Sequence, residues 1–263
     1  MGRSTNSSST TFVLLAGGCA VAVAVAGCSS DSGSSGSKGG GKVVDGATFS
    51  LAMSSDPGNL DPQGSTSSNV LQVAGLAYDS LVSINGKGQI EPQLASAWKV
   101  SGKTVTLTMK SGITCSDGSK FTAAQAAQNI NYVGNPKNKS PLLGAFLPAG
   151  ATAKSAGSTM TITVPGAAPF VLNGLADLPM VCAKGMANRK SLAASTDGTG
   201  PYQLTKATPN SSYSLTKRSG YTWGPNGAKT ATAGSMSVPP WTCVLLRKFG
   251  PKRKPCRQLR SHP

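Results

Sequence analysis

Histidine is almost missing from this chain: its single copy is His262, one residue from the end. Everything upstream is thereby closed to Ser–His and Cys–His nucleophile pairs. Zinc loses its commonest nitrogen ligand, and no Cys-x-x-Cys pair replaces it, so no metal site and no cofactor are expected. Acids are scarce too, nine in all and none after residue 197. Asp56 and Asp61 are the closest pair, inside "SDPGNLDP". Two carboxylates can serve glycoside hydrolysis, but acids inside a Pro/Gly turn far more often cap the turn. The chain is read as a non-enzyme.

The formal charge of +16 is unevenly spread. Residues 237–263 hold seven Lys/Arg and no acid, while residues 1–236 hold eighteen Lys/Arg against nine acids. The body is moderately basic with no clustered stripe, which argues against a nucleic-acid partner.

At the start, a polar stretch with Arg3 precedes the uncharged run Phe12–Ala26, and "VAGC" closes it at Cys28. A polar n-region, a short apolar core and small residues at the cut define a secretory signal, here residues 1–27. The run is shorter than the ~20 residues a spanning helix needs. "VAGC" resembles a bacterial lipobox, in which Cys28 takes a diacylglyceryl group and becomes the first mature residue. Residues 28–45 are then a Gly/Ser tether. Within it, Gly36, Gly41 and Lys42 imitate a phosphate loop, but Val43 stands where Ser or Thr is required. The expected location is the outer face of the cell membrane, lipid-anchored.

Residues 46–236 are long enough for one domain with a real core. Only Cys115 and Cys182 fall inside it. In an oxidising compartment two such residues favour a disulfide, the alternative being two unrelated buried thiols. Strands are expected at Ala47–Met53, Thr104–Lys110 and Thr159–Val164, where apolar residues alternate with polar ones. Helical spacing runs from Ser67 to Leu81 through Val70, Val73, Ala74 and Ala77, and again over Phe121–Val133 behind the capping residue Thr122. "NGKGQ" at Asn85–Gln89 is a turn. Interleaved strands and helices give an α/β body with a mixed sheet.

The order "DPGNLDP", "AYDSLVSINGKGQIEPQLASAWKVS", "TLTMKSGITCSDGSKFTA", "TDGTGPYQL" resembles that of family 5 solute-binding proteins, the peptide- and nickel-binding components of ABC importers. The resemblance covers about Thr48 to Ala233, and the Gly/Ser tether with Cys115 and Cys182 looks like the actinobacterial lipoprotein branch. It implies a lobe of the periplasmic-binding-protein class, with a peptide or similar small solute held in a cleft and passed to ABC permease subunits. Such proteins close around a solute and do no chemistry. The sequence departs from the family at Gln125 and Ala126, where an acid is usual. A lipid-anchored structural or adhesive protein without a solute is the rival reading.

Candidate ligand contacts follow. Ser55 and Asp56 lie in the loop after the first strand, where open α/β sheets place their clefts; the plain alternative is turn capping by Asp56 and Asp61. In "GTGPY", Gly198, Thr199 and Gly200 offer close backbone approach and Tyr202 an amphipathic wall. The alternative there is a structural turn with Tyr202 in the core. Trp98 is read as core.

Residues 237–263 bring five prolines, seven Lys/Arg and two stray cysteines, Cys243 and Cys256, with no apolar period. They read as a disordered, aberrant tail of a truncated or frame-shifted product, and not as a nucleic-acid arm. With half of the expected length missing, high-affinity solute binding is expected to be lost.

Overall fold

The structure, a computed structural model, describes residues 49–225 and 235–238. The export signal, Cys28, the tether and the basic tail after Val238 lie outside the described residues. Within them, alternating hydrophobicity becomes sheet where the apolar half has something to cover it. "TVTLTM" forms β5 (Thr104–Met109), with Val105, Leu107 and Met109 buried and Thr108 outward. "TMTIT" forms β7 (Thr159–Thr163) and buries Met160 and Ile162. With β4 (Ala95–Ser101) and β6 (Thr152–Ala156) they build an antiparallel sheet in the order β4-β5-β7-β6. Its strand register sets Leu107 opposite both Trp98 and Met160.

Helix α2 (Ala123–Gly134) covers the apolar face, burying Ala126, Ile130 and Val133. Each buried Ile or Val on such a face contributes about 1.5–3 kcal/mol. Its start is a capping box. Thr122 Oγ1 accepts from the Gln125 amide, and Gln125 Oε1 accepts from the Thr122 amide. Gln125 thus supplies the second half of the box.

The second layer is a mixed sheet in the order β1-β10-β9-β8, from β1 (Phe49–Ser50), β8 (Tyr202–Thr208), β9 (Ser212–Lys217) and β10 (Ser235–Val238). Among the described strands, β1 and β10 are the one parallel pair. Helix α1 (Ser68–Ala77) packs here, joining Val73, Ala74 and Tyr78 to Tyr213 and Leu215 in a core separate from that under α2. A hairpin of β2 (Val82–Ile84) and β3 (Ile90–Pro92), turning at Asn85–Gln89, meets helix α3 (Val171–Ala176), and α4 (Ala183–Ala187) follows.

Several boundaries differ from those expected. Of the five described residues in the first expected strand, Phe49 and Ser50 pair with Met236 and Ser237, and the chain leaves the sheet after Ser50. Met53 is buried in the loop that follows. The helix expected to reach Leu81 ends at Ala77: Tyr78 is extended, although its amide still reaches Ala74 O at 2.8 Å. Strand β10 runs two residues past the boundary drawn at 236, so Ser237 and Val238 belong to the sheet. Trp98 is half-buried against the α2 core.

Candidate functional site

The loop after β1 is a chain of side-chain-to-backbone turns. Asp56 Oδ1 accepts from the Gly58 amide at 2.7 Å, and Asp61 Oδ1 from the Gln63 amide at 2.9 Å. Both acids also have longer-range partners. Tyr213 donates its hydroxyl to Asp56 at 2.9 Å, and the Asn210 amide donates to the other oxygen. Burial pushes the Asp56 carboxyl up, but the Asn210, Gly58 and Tyr213 hydrogen bonds outweigh it and hold the group below its ordinary value. Asp61 pairs with the Arg189 guanidinium. Ser54 and Ser55 remain exposed, tied to the first turns of α1 through Asn69: Ser54 Oγ donates to Asn69 Oδ1 at 3.1 Å, and Asn69 Nδ2 to Ser55 Oγ at 2.5 Å.

The "GTGPY" segment sits elsewhere. A Cβ on Gly198 would lie 2.3 Å from Ala77 O, and one on Gly200 would lie 2.5 Å from Ala77 C and 2.6 Å from Tyr78 N. Both glycines therefore press on the end of α1. The Gly200 amide donates to Ala77 O at 3.0 Å. Thr199 is fully buried on the Asp79 side of this contact, its hydroxyl outside ordinary hydrogen-bond geometry. Tyr202 is half-buried, opens β8 and packs against the α1 core.

The expected ligand set is thus divided. Tyr202 pairs with Lys217 at one end of the β8–β9 hairpin, and Thr208 with Ser212 at the other, beside the Asn210 that holds Asp56. Six residue steps of strand separate the two ends by about 20 Å. The structure brings Ser55 and Asp56 together at one end and Gly198, Thr199, Gly200 and Tyr202 at the other.

What gathers the second group is Asp79, of "YDSLV", 2% exposed. Its carboxylate accepts from Gln93 Nε2 at 2.7 Å, the Tyr221 hydroxyl at 2.9 Å and Trp223 Nε1 at 3.0 Å. Trp223 Nε1 also reaches Thr199 O at 3.2 Å. Arg218 completes the knot, donating to the carbonyls of Gly200, Thr114 and Cys115, with its guanidinium 5.4 Å from the Trp223 ring centre. Cys115 and Cys182 form a disulfide beside it, Cα to Cα 6.1 Å and fully buried. A polar pocket of about 280 Å³ adjoins this bridge, with Asp117, Lys184 and Asp197 in its lining. Burial raises the Asp197 carboxyl above its ordinary value, whereas the Ser119 hydroxyl and amide hold Asp117 below it.

A second buried network binds the loop to α2. Gln63 donates to Asn129 Oδ1 at 2.7 Å and to Pro179 O at 2.8 Å, and Asn129 exchanges hydrogen bonds with the Val181 backbone at 2.8 Å each way. Arg189 reaches Gln63 Oε1 at 3.0 Å and stacks 4.1 Å from the Tyr132 ring centre. Sequence reasoning assigned no role to Asp79, Gln63, Asn129, Arg189 or Arg218. Asn129 carried a readable signal, a polar residue on the apolar face of a helix; the others gave none.

These layers and loops are those of an extracytoplasmic solute-binding protein. The model of the "Bacterial extracellular solute-binding proteins, family 5 Middle" matches residues 89–235, more than half of the chain, and the chain belongs to that family. It is 34% identical over 92 residues to the probable deoxycholate-binding periplasmic protein YgiS of Escherichia coli, covering 34% of this chain and 17% of that one. It is 27% identical over 159 residues to the glutathione-binding protein GsiB of Salmonella typhi, covering 59% of this chain and 31% of that protein. A substrate-binding protein from Microbacterium hydrocarbonoxydans, solved with 4-hydroxybenzoate hydrazide, superposes with a TM-score of 0.62 at 28% identity, over 73% of this chain and 42% of its own. The chain spans about a third or less of the length of the curated relatives it matches. Its family consists of solute-binding proteins. No helix among the described residues is long and apolar enough to cross a membrane.

Proposed function

We propose that this chain acts as the extracytoplasmic substrate-binding component of an ABC importer, capturing peptides or similar small solutes for delivery to permease subunits. The observation that carries the reading is family membership over residues 89–235. The site proposed for the solute is the exposed loop around Ser55, with Asp56 fixing its shape. Ser54 and Ser55 present hydroxyls to solvent while Asn69 holds them in place, an arrangement suited to a peptide backbone. Gly198 and Gly200 are assigned instead to packing against the end of α1, which occupies the space their missing side chains leave, and Thr199 to the buried surroundings of Asp79. Tyr202, at the end of the β8–β9 hairpin away from Asp56, is assigned with them to the α1 side. Anchoring on the outer face of the cell membrane is proposed through a diacylated Cys28, on the strength of "VAGC" and the Gly/Ser tether.

Thermal-shift screening of the purified chain against short peptides tests the reading. A subset should raise the midpoint saturably. Ser55→Trp should abolish that shift while lowering the ligand-free midpoint only modestly, since Asn69 loses its Ser55 acceptor. No shift with any peptide would favour a structural surface protein. Intact-mass analysis of the membrane fraction should find lipid on Cys28, and Cys28→Ala should release the chain from it.

A further inference from the structure

An open groove of about 620 Å³ runs between the turn at residues 142–148 and helix α3. It shares no lining residue with the loop around Ser55 or with the Asp79 knot. Its volume lies in the range of about 300–1,000 Å³ typical of small-molecule sites. The walls are apolar: Phe146, Leu147 and Pro148 on one side, Phe170 and Val171 on the other. They are also fixed to each other before any ligand arrives. A Cβ on Gly174 would lie 2.0 Å from Phe146 O, so this glycine lets α3 pack backbone-to-backbone on the turn. The turn is closed by Gly144 N to Leu147 O at 2.7 Å and Phe146 N to Leu142 O at 2.9 Å. Preorganised walls lower the entropy lost on binding.

Two features of the groove lack a structural purpose. Phe170 is 76% exposed, far beyond the other exposed large apolar residues, Val100 at 47% and Ile84 at 40%. Asp177 is the one ionisable group in the lining, and among the described residues its carboxylate has no hydrogen bond or ion pair. No lysine, arginine or histidine lines the groove to balance it. In a chain with 25 Lys/Arg and nine acids, an unanswered carboxylate beside exposed aromatic surface selects for positive charge. The aromatic face of Phe170 favours the same sign.

We propose that this groove binds a small organic cation with an apolar body, an arylalkyl or branched alkyl ammonium, whose ammonium meets Asp177 and whose body lies against Phe170 and Phe146. This site is independent of the solute loop around Ser55, and its test does not rest on that loop.

Isothermal titration of the full chain with 2-phenylethylammonium, 2-phenylethanol and 3-phenylpropanoate separates charge from shape, the three probes having near-equal apolar bodies. The cation should bind one to one and at least about tenfold more tightly than the carboxylate, a difference of about 1.4 kcal/mol. Asp177→Asn should erase that preference. Phe170→Ala should weaken the cation roughly tenfold. Both positions are exposed, and an unchanged thermal midpoint verifies the fold; Asp177→Asn alone decides the matter if Phe170→Ala unfolds. Equal binding of the three probes, no saturable binding of the cation, or an Asp177→Asn protein that still prefers it would overturn the proposal. So would a concentration-dependent dimer that Phe170→Ala dissolves, since that assigns the groove to a second copy of the chain.

Discussion

Asp79 accepts the indole N–H of Trp223 at 3.0 Å across 144 positions of sequence, and this contact closes the body of the protein around its "GTGPY" turn. Burial pushes the Asp79 carboxyl above its ordinary value, against the lowering effect of hydrogen bonds from Trp223, Tyr221 and Gln93. A carboxyl raised in the folded state binds protons there more readily than in the unfolded chain. Its contribution to stability is therefore full below the unfolded value of about 3.9 and declines as pH rises through the folded value. Asp79→Asn places an amide N–H₂ among donors and should cost about 1–3 kcal/mol at acidic pH. The penalty should shrink towards neutral pH, where the wild type has lost part of its advantage. Urea denaturation of both proteins across this range checks it; a penalty that grows with pH would mean that the folded carboxyl is lowered instead.

The Cys115–Cys182 bridge closes a loop with a sequence separation of 67. In the chain-entropy model such a loop is worth about 4 kcal/mol. Replacing both cysteines by alanine should lower the denaturation free energy by about that amount, less whatever the reduced chain regains. Because both are fully buried, reductant should act on the native protein no faster than it opens. Rapid reduction under native conditions, followed by thiol labelling, would contradict this placement.

Gly200→Ala pushes a methyl group into backbone atoms of Leu76, Ala77 and Tyr78, each within 2.7 Å. No flexible side chain can yield there, so the cost should exceed about 2 kcal/mol. Gly75→Ala, on the exposed face of α1 with nothing within 4 Å, should instead stabilise by roughly 0.5–1 kcal/mol. Equilibrium denaturation of the pair distinguishes close packing from a general intolerance of substitution.

How much of this was readable in advance follows from the range of each interaction. β5, β7 and α2 were legible because their signals are local: period-two alternation in "TVTLTM" and "TMTIT", and a cap three residues from its partner in "TAAQ". The need for glycine at positions 198 and 200 was legible too, but not that the end of helix α1 would be the backbone that approaches. Asp79 and Arg218 were invisible as a pair of hubs, since their partners lie up to 144 positions away and a single sequence carries no trace of that pairing. Asp56 caps its turn as the local sequence allowed, and its Tyr213 contact depended on the hairpin folding back.

The claim on which the account turns is that the solute meets the loop around Ser55. Amide-resolved NMR titration of the full chain with short peptides measures this directly. The account predicts saturable shifts centred on Ser54, Ser55 and Asp56, with Gly198 and Gly200 unmoved and the shifts lost in Ser55→Trp. Shifts centred on Gly198–Tyr202 instead, or none at any residue, would contradict it.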